Sequence, residues 1–245
     1  MTKLQQAGFD ARLEWAAEGA VLLAPTCPVL VVVDVLRFTT AVEVAVARGA
    51  RVVPHRWPGR QAAGSGRGAA ALPGPGAAGH PGSSSLSPVS LLGIPPGTRL
   101  ELASPNGATV SLAAADAGAV VLAGCLRNAS AVAAAARRLG GPVGMVAAGE
   151  RRPDGSLRPA VEDLVGAGAV LHALGGRPSP EARAAVAAFL DAAGDLPETL
   201  AGCVSGRELA ARGHAADLRL AAELRVSRVV PRLSGGAFAQ LSWPG

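Results

Sequence analysis

The residues in this sequence best suited to chemistry begin with "DVLR", in which Asp34 ends an almost unbroken valine run and Arg37 follows three positions later. A carboxylate at a strand end can ligate Mg²⁺ or handle a proton, and a nearby guanidinium can hold a phosphoryl or carboxylate group through two parallel hydrogen bonds. The same two residues could equally form a structural salt bridge or a turn. A second candidate is "SPNGAT", where Asn106 and Gly107 stand between a strand and a helix. A helix N-terminus offers unpaired N–H groups and a glycine lets an anion approach the backbone, although an ordinary turn and cap would use the same residues. "GCLRNAS" repeats the junction with Arg127 and Asn128, for which capping is the simpler role. Glu150 follows "GMVAAG", and Glu162 and Asp163 open a helix. One or two of these could join Asp34 around Mg²⁺, which keeps several waters, while acids in a first turn also complement the helix dipole. Asp217 reads as a solvated helix residue, and Cys125, after "VVLAG", as a small buried one. The four histidines are dispersed, without the local context of a Ser-His-Asp or Cys-His arrangement.

These positions need elements to hold them. Val29–Val33, apolar throughout, reads as a strand covered on both faces, the habit of parallel sheets, in which ligands collect beyond the carboxyl ends of strands. "TTAVEVAVARGA" then has a hydroxyl cap at Thr39 or Thr40 and a closing Gly49, so it reads as a helix. Strand and helix signals alternate onward through "RVVPH", "TRLELA", "GATVSLAAADAG", "AVVLAG", "NASAVAAAARRLGG" and "VGMVAAG". The chain then turns helical, from "PAVEDLVGAGAVLHALGG" through "SPEARAAVAAFLDAAG" to "SGRELAARGHAADLRLAAEL", before a short strand, "RVVPRL", that would close the sheet. The expected class is α/β: one domain over residues 1–245, a three-layer α/β/α arrangement with a largely parallel or mixed sheet and a helical C-terminal third. Residues 59–87 break the order. Gly, Ala, Pro and Ser dominate them, and no carboxylate occurs between Glu43 and Glu101. Such composition buries too little apolar surface to fix its backbone, which predicts a mobile, poorly packed loop. "GSGRGA" within it lacks the flanking strand and helix of a dinucleotide site.

A chain of 245 residues with 49% hydrophobic and 17% charged residues can bury a substantial globular core. The net charge of +5 rests on scattered arginines, with one lysine and no tyrosine, a pattern of GC-rich coding more than of a nucleic-acid surface. A small anionic phosphate ester is the partner that suits this charge, and no nucleic acid is expected. Assembly with further copies of the chain stays open. Cys27, Cys125 and Cys203 are far apart and form no C-x-x-C pair, which points away from zinc and disulfides and toward a reduced, cytoplasmic setting. "MTKLQQAGFDARLEW" lacks the apolar core of a signal peptide, and the apolar stretch 20–33 is short and interrupted by Pro25 and Pro28, so no membrane association is expected.

Four segments, "VVVDVLRFTTAVEVAVARGARVVP", "LSPVSLLGIPPGTRLELASPNGATVS", "AVVLAGCLRNASAVA" and "PAVEDLVGAGAVL", occur in an order that resembles the 2-phosphosulfolactate phosphatase family, the ComB-like proteins. The resemblance runs over about residues 10–233. It implies a three-layer α/β fold and Mg²⁺-dependent hydrolysis of a phosphate ester of a small 2-hydroxy acid, giving sulfolactate and phosphate. Carried over by motif, Asp34, Arg37 and Glu150 would be catalytic, and Asp34, Glu162 and Asp163 would surround the metal. Thr39, Ser87, Asn106, Gly107 and Asn128 would bind substrate. Between His55 and Leu86 the family has a helix, a further strand and a G-E-R-like segment that are missing here. What replaces them reads like out-of-frame translation of GC-rich DNA, with register restored at "SLSP". A protein that keeps the fold but has lost hydrolysis through this segment would be a non-catalytic binder of small anions.

Overall fold

The valine run forms strand β2, Val29–Val33, and is buried along its whole length because its alternating side chains enter two different cores. Val29, Val31 and Val33 pack to one side, Leu30 and Val32 to the other. Each such side chain contributes about 1.5–3 kcal/mol when fully buried. The computed structural model describes residues 3–56 and 86–243, so the segment 59–87 lies outside the described residues except for Leu86 and Ser87.

The remaining strands are β1 (Ala11–Trp15), β3 (Arg51–Arg56), β4 (Arg99–Ser104), β5 (Val120–Gly124), β6 (Val143–Ala147), β9 (Pro231–Ser234) and β10 (Ala237–Gln240), with β7 (Glu150–Arg151) and β8 (Leu157–Arg158) as a separate small ribbon. With β2 they build, among the described residues, a mixed, mostly parallel sheet of eight strands in the order β1-β6-β2-β5-β9-β10-β3-β4. Helices α1 (Ala16–Leu23), α2 (Phe38–Ala47) and α3 (Gly107–Asp116) cover the Leu30 face. Helices α4 (Ala129–Leu139), α5 (Val161–Leu174) and α6 (Pro180–Ala192) cover the Val31 face, which completes three layers. Three short helices follow: α7 (Leu196–Gly202), α8 (Val204–Ala211) and α9 (Ala215–Ala221). Among the described residues no helix is long and apolar enough to cross a membrane.

Three elements differ from the sequence reading. β1 and α1 precede the first expected strand, while "SGRELAARGHAADLRLAAEL" is helical as expected and forms α8 and α9. "RVVPRL" supplies β9, which does not close the sheet: with β10 it makes a hairpin inserted between β5 and β3. The turn is Gly235-Gly236, both at positive φ, the conformation a two-residue hairpin loop requires.

The inserted hairpin reverses the polarity of the far strands. β5 to β9, β9 to β10 and β10 to β3 are all antiparallel, so β3 and β4 run opposite to β2. In a flat sheet the end of β4 would lie at the edge away from Asp34. Strand twist of about 20–25° per step accumulates to about 100–125° from β2 to β4, enough to turn the end of β4 back toward the end of β2. Phe238 of β10 is the keystone of this turn, fully buried and edge-on to Phe38 with ring centroids 6.2 Å apart. Truncation in F238A is expected to cost about 3–5 kcal/mol of stability in denaturant unfolding. A loss under about 1 kcal/mol would show that the hairpin does not hold the two halves of the sheet together.

Candidate active site

Asp34 lies one residue beyond β2, and main-chain donors from two helices take both of its oxygens. The Phe38 N–H at the start of α2 donates to Oδ1 at 3.1 Å, and the Gly107 N–H at the start of α3 donates to Oδ2 at 2.8 Å. The Thr39 hydroxyl accepts from the Asp34 N–H at 2.9 Å and donates to the Asp34 carbonyl at 2.8 Å, which fixes the turn between strand and helix. The anion that the α3 N-terminus receives is therefore the protein's own carboxylate. Gly107 is required for that approach: a Cβ there would stand 2.5 Å from Phe38 Cδ1 and 2.6 Å from Asp34 Oδ2.

Asp163, in the first turn of α5, ties two strand ends together. Its Oδ1 accepts from the Val35 N–H at 2.8 Å and its Oδ2 from the Gly149 N–H at 2.9 Å. Glu162 beside it is 2% exposed, and its Oε2 has no hydrogen-bond partner among the described residues. Asp34, Glu162 and Asp163 line a cavity of about 220 Å³ together with Arg37, Asn106 and Glu150. Six of the ten site residues read from the sequence thus meet in one place. Helix α8 adds Ser205 and Glu208, and Arg212 follows directly after the helix; the sequence reading did not single out these three.

Several other polar wall residues are held by partners. Glu150 pairs with Arg158, whose guanidinium also donates to Ser205 Oγ at 2.7 Å. Asn106 Oδ1 accepts from the Arg151 N–H at 3.2 Å, and Glu208 pairs with Arg212. Arg37 Nη1 donates to Asp217 at 2.7 Å.

The other expected substrate contacts are not among the lining residues. Thr39 and Gly107 hold Asp34 and do not line the cavity. Ser87 donates through its hydroxyl to Asp217 at 2.6 Å. Asn128 is buried, does not line the cavity, and caps no helix: its Oδ1 accepts from the Cys125 N–H, and its amide donates to the Ala123 and Val229 carbonyls. It fastens the end of β5 to the chain entering β9. Asp217, expected to be solvated, is 1% exposed. Burial raises the thiol pKa of Cys125 to about 12, with the Glu43 charge adding to it, so this cysteine stays protonated and is no nucleophile.

Electrostatics sets the character of the cavity. Burial pushes the Asp34 carboxyl up to about 6 against its two N–H bonds, with the charges of Glu162 and Glu150 adding to the rise. Asp163 is raised well above the usual carboxylate range, again by burial first and then by Asp34 and Glu162. Cys203, against Glu162, is raised to about 11 by burial and by that carboxylate. Among the described residues no group of three or more His, Cys, Asp and Glu side chains is arranged to chelate a metal ion unaided. The donor set nonetheless suits a cation that keeps its waters: five carboxylates face two guanidiniums in the lining, and one buried carboxylate oxygen is unpartnered.

The sequence profile of the 2-phosphosulpholactate phosphatase family matches residues 84–236, more than half of the chain. The chain belongs to that family. It is accordingly a phosphatase, a phosphoric monoester hydrolase. Asn106, Glu150, Glu162 and Asp163 fall inside the matched stretch, while Asp34 and Arg37 lie ahead of it and take their place in the site from the contacts above. No curated protein matches the chain.

Two outcomes follow from the geometry of Asp34. Alanine at Gly107 collides with Asp34 and Phe38, so G107A should lose about 1–3 kcal/mol of stability and most phosphatase activity, measured by unfolding and phosphate release; parent behaviour in both would show that the contact is not tight. Because the folded pKa of Asp34 is raised from 3.8 to about 6, its contribution to stability is full below the lower value and is lost as pH rises through the higher one. In cation-free buffer the parent should therefore lose more stability than D34N between about pH 4 and pH 7. Equal pH dependence of the two would remove Asp34 as the source.

Proposed function

We propose that the chain is a Mg²⁺-dependent phosphatase acting on 2-phosphosulfolactate or a related 2-phospho-hydroxy acid in a cytoplasmic setting. The observation that carries this reading is the excess of carboxylates among the described residues of the cavity, none of which partners the buried Glu162 Oε2. A phosphate ester would be repelled from such a lining unless a cation entered with it. A passive anion binder is disfavoured on the same ground. Asp34 and Glu162 would hold the ion, with Asp163 as the brace that keeps α5 against the strand ends. Mg²⁺ bound there would supply charge neutralisation at the phosphoryl oxygens and a more acidic bound water.

The chain's own residues do the rest. Arg37 binds a phosphoryl oxygen pair with the guanidinium edge not given to Asp217. Glu150, held by Arg158 at the cavity wall, takes the proton of the attacking water. Arg212, directly after α8 and exposed, would meet the second anionic group of the substrate, because its exposed pairing with Glu208 is worth little and exchanges easily.

E162Q separates function from stability. The change keeps shape and breaks no hydrogen bond of Oε2, but it removes a charge beside two buried carboxylates. Stability in cation-free buffer should rise by about 1–3 kcal/mol, whereas the Mg²⁺ concentration for half-maximal hydrolysis of 2-phosphosulfolactate should rise about tenfold or more. Unchanged metal dependence would remove Glu162 from the ion site, and hydrolysis unaffected by chelation of Mg²⁺ would overturn the metal requirement itself.

A further inference from the structure

We infer that Asp217 is the positioning residue for Arg37: it pins one edge of the guanidinium, which leaves the other edge directed at the phosphate site. This rests on the reading of the cavity as that site. The two residues are 180 positions apart and come from opposite ends of the chain. Asp217 sits in α9 behind the cavity wall, 1% exposed, and its two oxygens divide their work. Oδ2 accepts from Arg37 Nη1 at 2.7 Å, with His214 Nδ1 3.5 Å away. Oδ1 accepts from the Ser87 hydroxyl at 2.6 Å and from the Val89 N–H at 3.2 Å. The carboxylate is therefore itself immobilised, and through α9 it is part of the folded frame.

Arg37 needs such an anchor because of where it stands. Its side chain is 16% exposed at a cavity lined by five carboxylates, and among the described residues its guanidinium makes no hydrogen bond except to Asp217. A guanidinium released there would turn onto Asp34, Glu150 or Glu162 and neutralise the groups the cation needs. The planar fork makes the division of labour feasible, since a fixed donor at one edge orients the donors at the other. A purely structural Asp217, fastening only the turn at Ser87 and Val89, would leave substrate affinity independent of it.

The two roles separate in D217N. The retained Oδ1 can keep Ser87 and Val89, whereas the introduced amide nitrogen faces Arg37 Nη1, donor against donor. Inorganic phosphate, the product of any phosphomonoesterase, is the probe, titrated calorimetrically at saturating Mg²⁺ into the parent, R37Q, D217N and the double variant. R37Q and D217N should each weaken phosphate binding about tenfold, and the double variant should lie within about twofold of R37Q, as for residues acting through one contact. Weak binding by R37Q with parent affinity in D217N would overturn the inference alone. Parent affinity in R37Q would overturn the reading of Arg37 as the phosphate clamp, and the inference with it. Should D217N not fold, R37K gives the same decision: its ammonium should be taken by Asp217 and bind phosphate as weakly as R37Q, and parent affinity there contradicts the pinning.

Discussion

The site depends on one constraint, the burial of acid groups at strand ends against main-chain N–H donors. The Asp34 carboxylate is shared between the first turns of α2 and α3, and Asp163 is shared between the ends of β2 and β6. These four bonds join segments from three regions of the chain and orient each carboxylate to within the tolerance of a hydrogen bond. They work against burial and the mutual repulsion of the acids, which together push both aspartates above the usual carboxylate range. Carboxylates outnumber guanidiniums among the described lining residues, and the Glu162 oxygen that none of those residues partners is the observation from which the proposed cation site is argued.

The arrangement explains why a sheet with reversed outer strands still makes one site. The β9–β10 hairpin inverts β3 and β4 relative to β2, and twist across the sheet, locked by the Phe238–Phe38 contact, returns the start of α3 to Asp34. Asp217 of α9 fastens Ser87 and Val89, beside the lining residue Leu86, to Arg37. Packing of the sheet thus acts directly on the geometry of the carboxylates, and loosening one should be felt in the other.

Much of this was legible in the sequence, for local reasons. An unbroken apolar run signals a strand buried on both faces, and the polar groups that end it, with the small-residue turn at Asn106-Gly107 and the acids opening α5, mark strand-to-helix junctions. What escaped was long-range. Asp217 looks like any acid on a short helix, and only the fold brings Arg37 and Ser87 to it. Asn128 sits at a junction like that of Asn106, but its amide faces backbone carbonyls of buried strand ends instead of the cavity. The Gly235-Gly236 turn did carry a local hairpin signal, flanked by short apolar runs, yet nothing local says that the hairpin enters the middle of the sheet.

The central claim is that Asp34 and Glu162 hold a cation facing the phosphoryl group. A crystal structure with Mg²⁺ and orthovanadate, a mimic of the phosphoryl group in flight, tests it most directly. The account expects the ion with oxygens of Asp34 and Glu162 at about 2.0–2.1 Å and the vanadate bridging it to the Arg37 guanidinium. Vanadate bound away from these carboxylates, with Glu162 still unpartnered and no ion beside it, would contradict it.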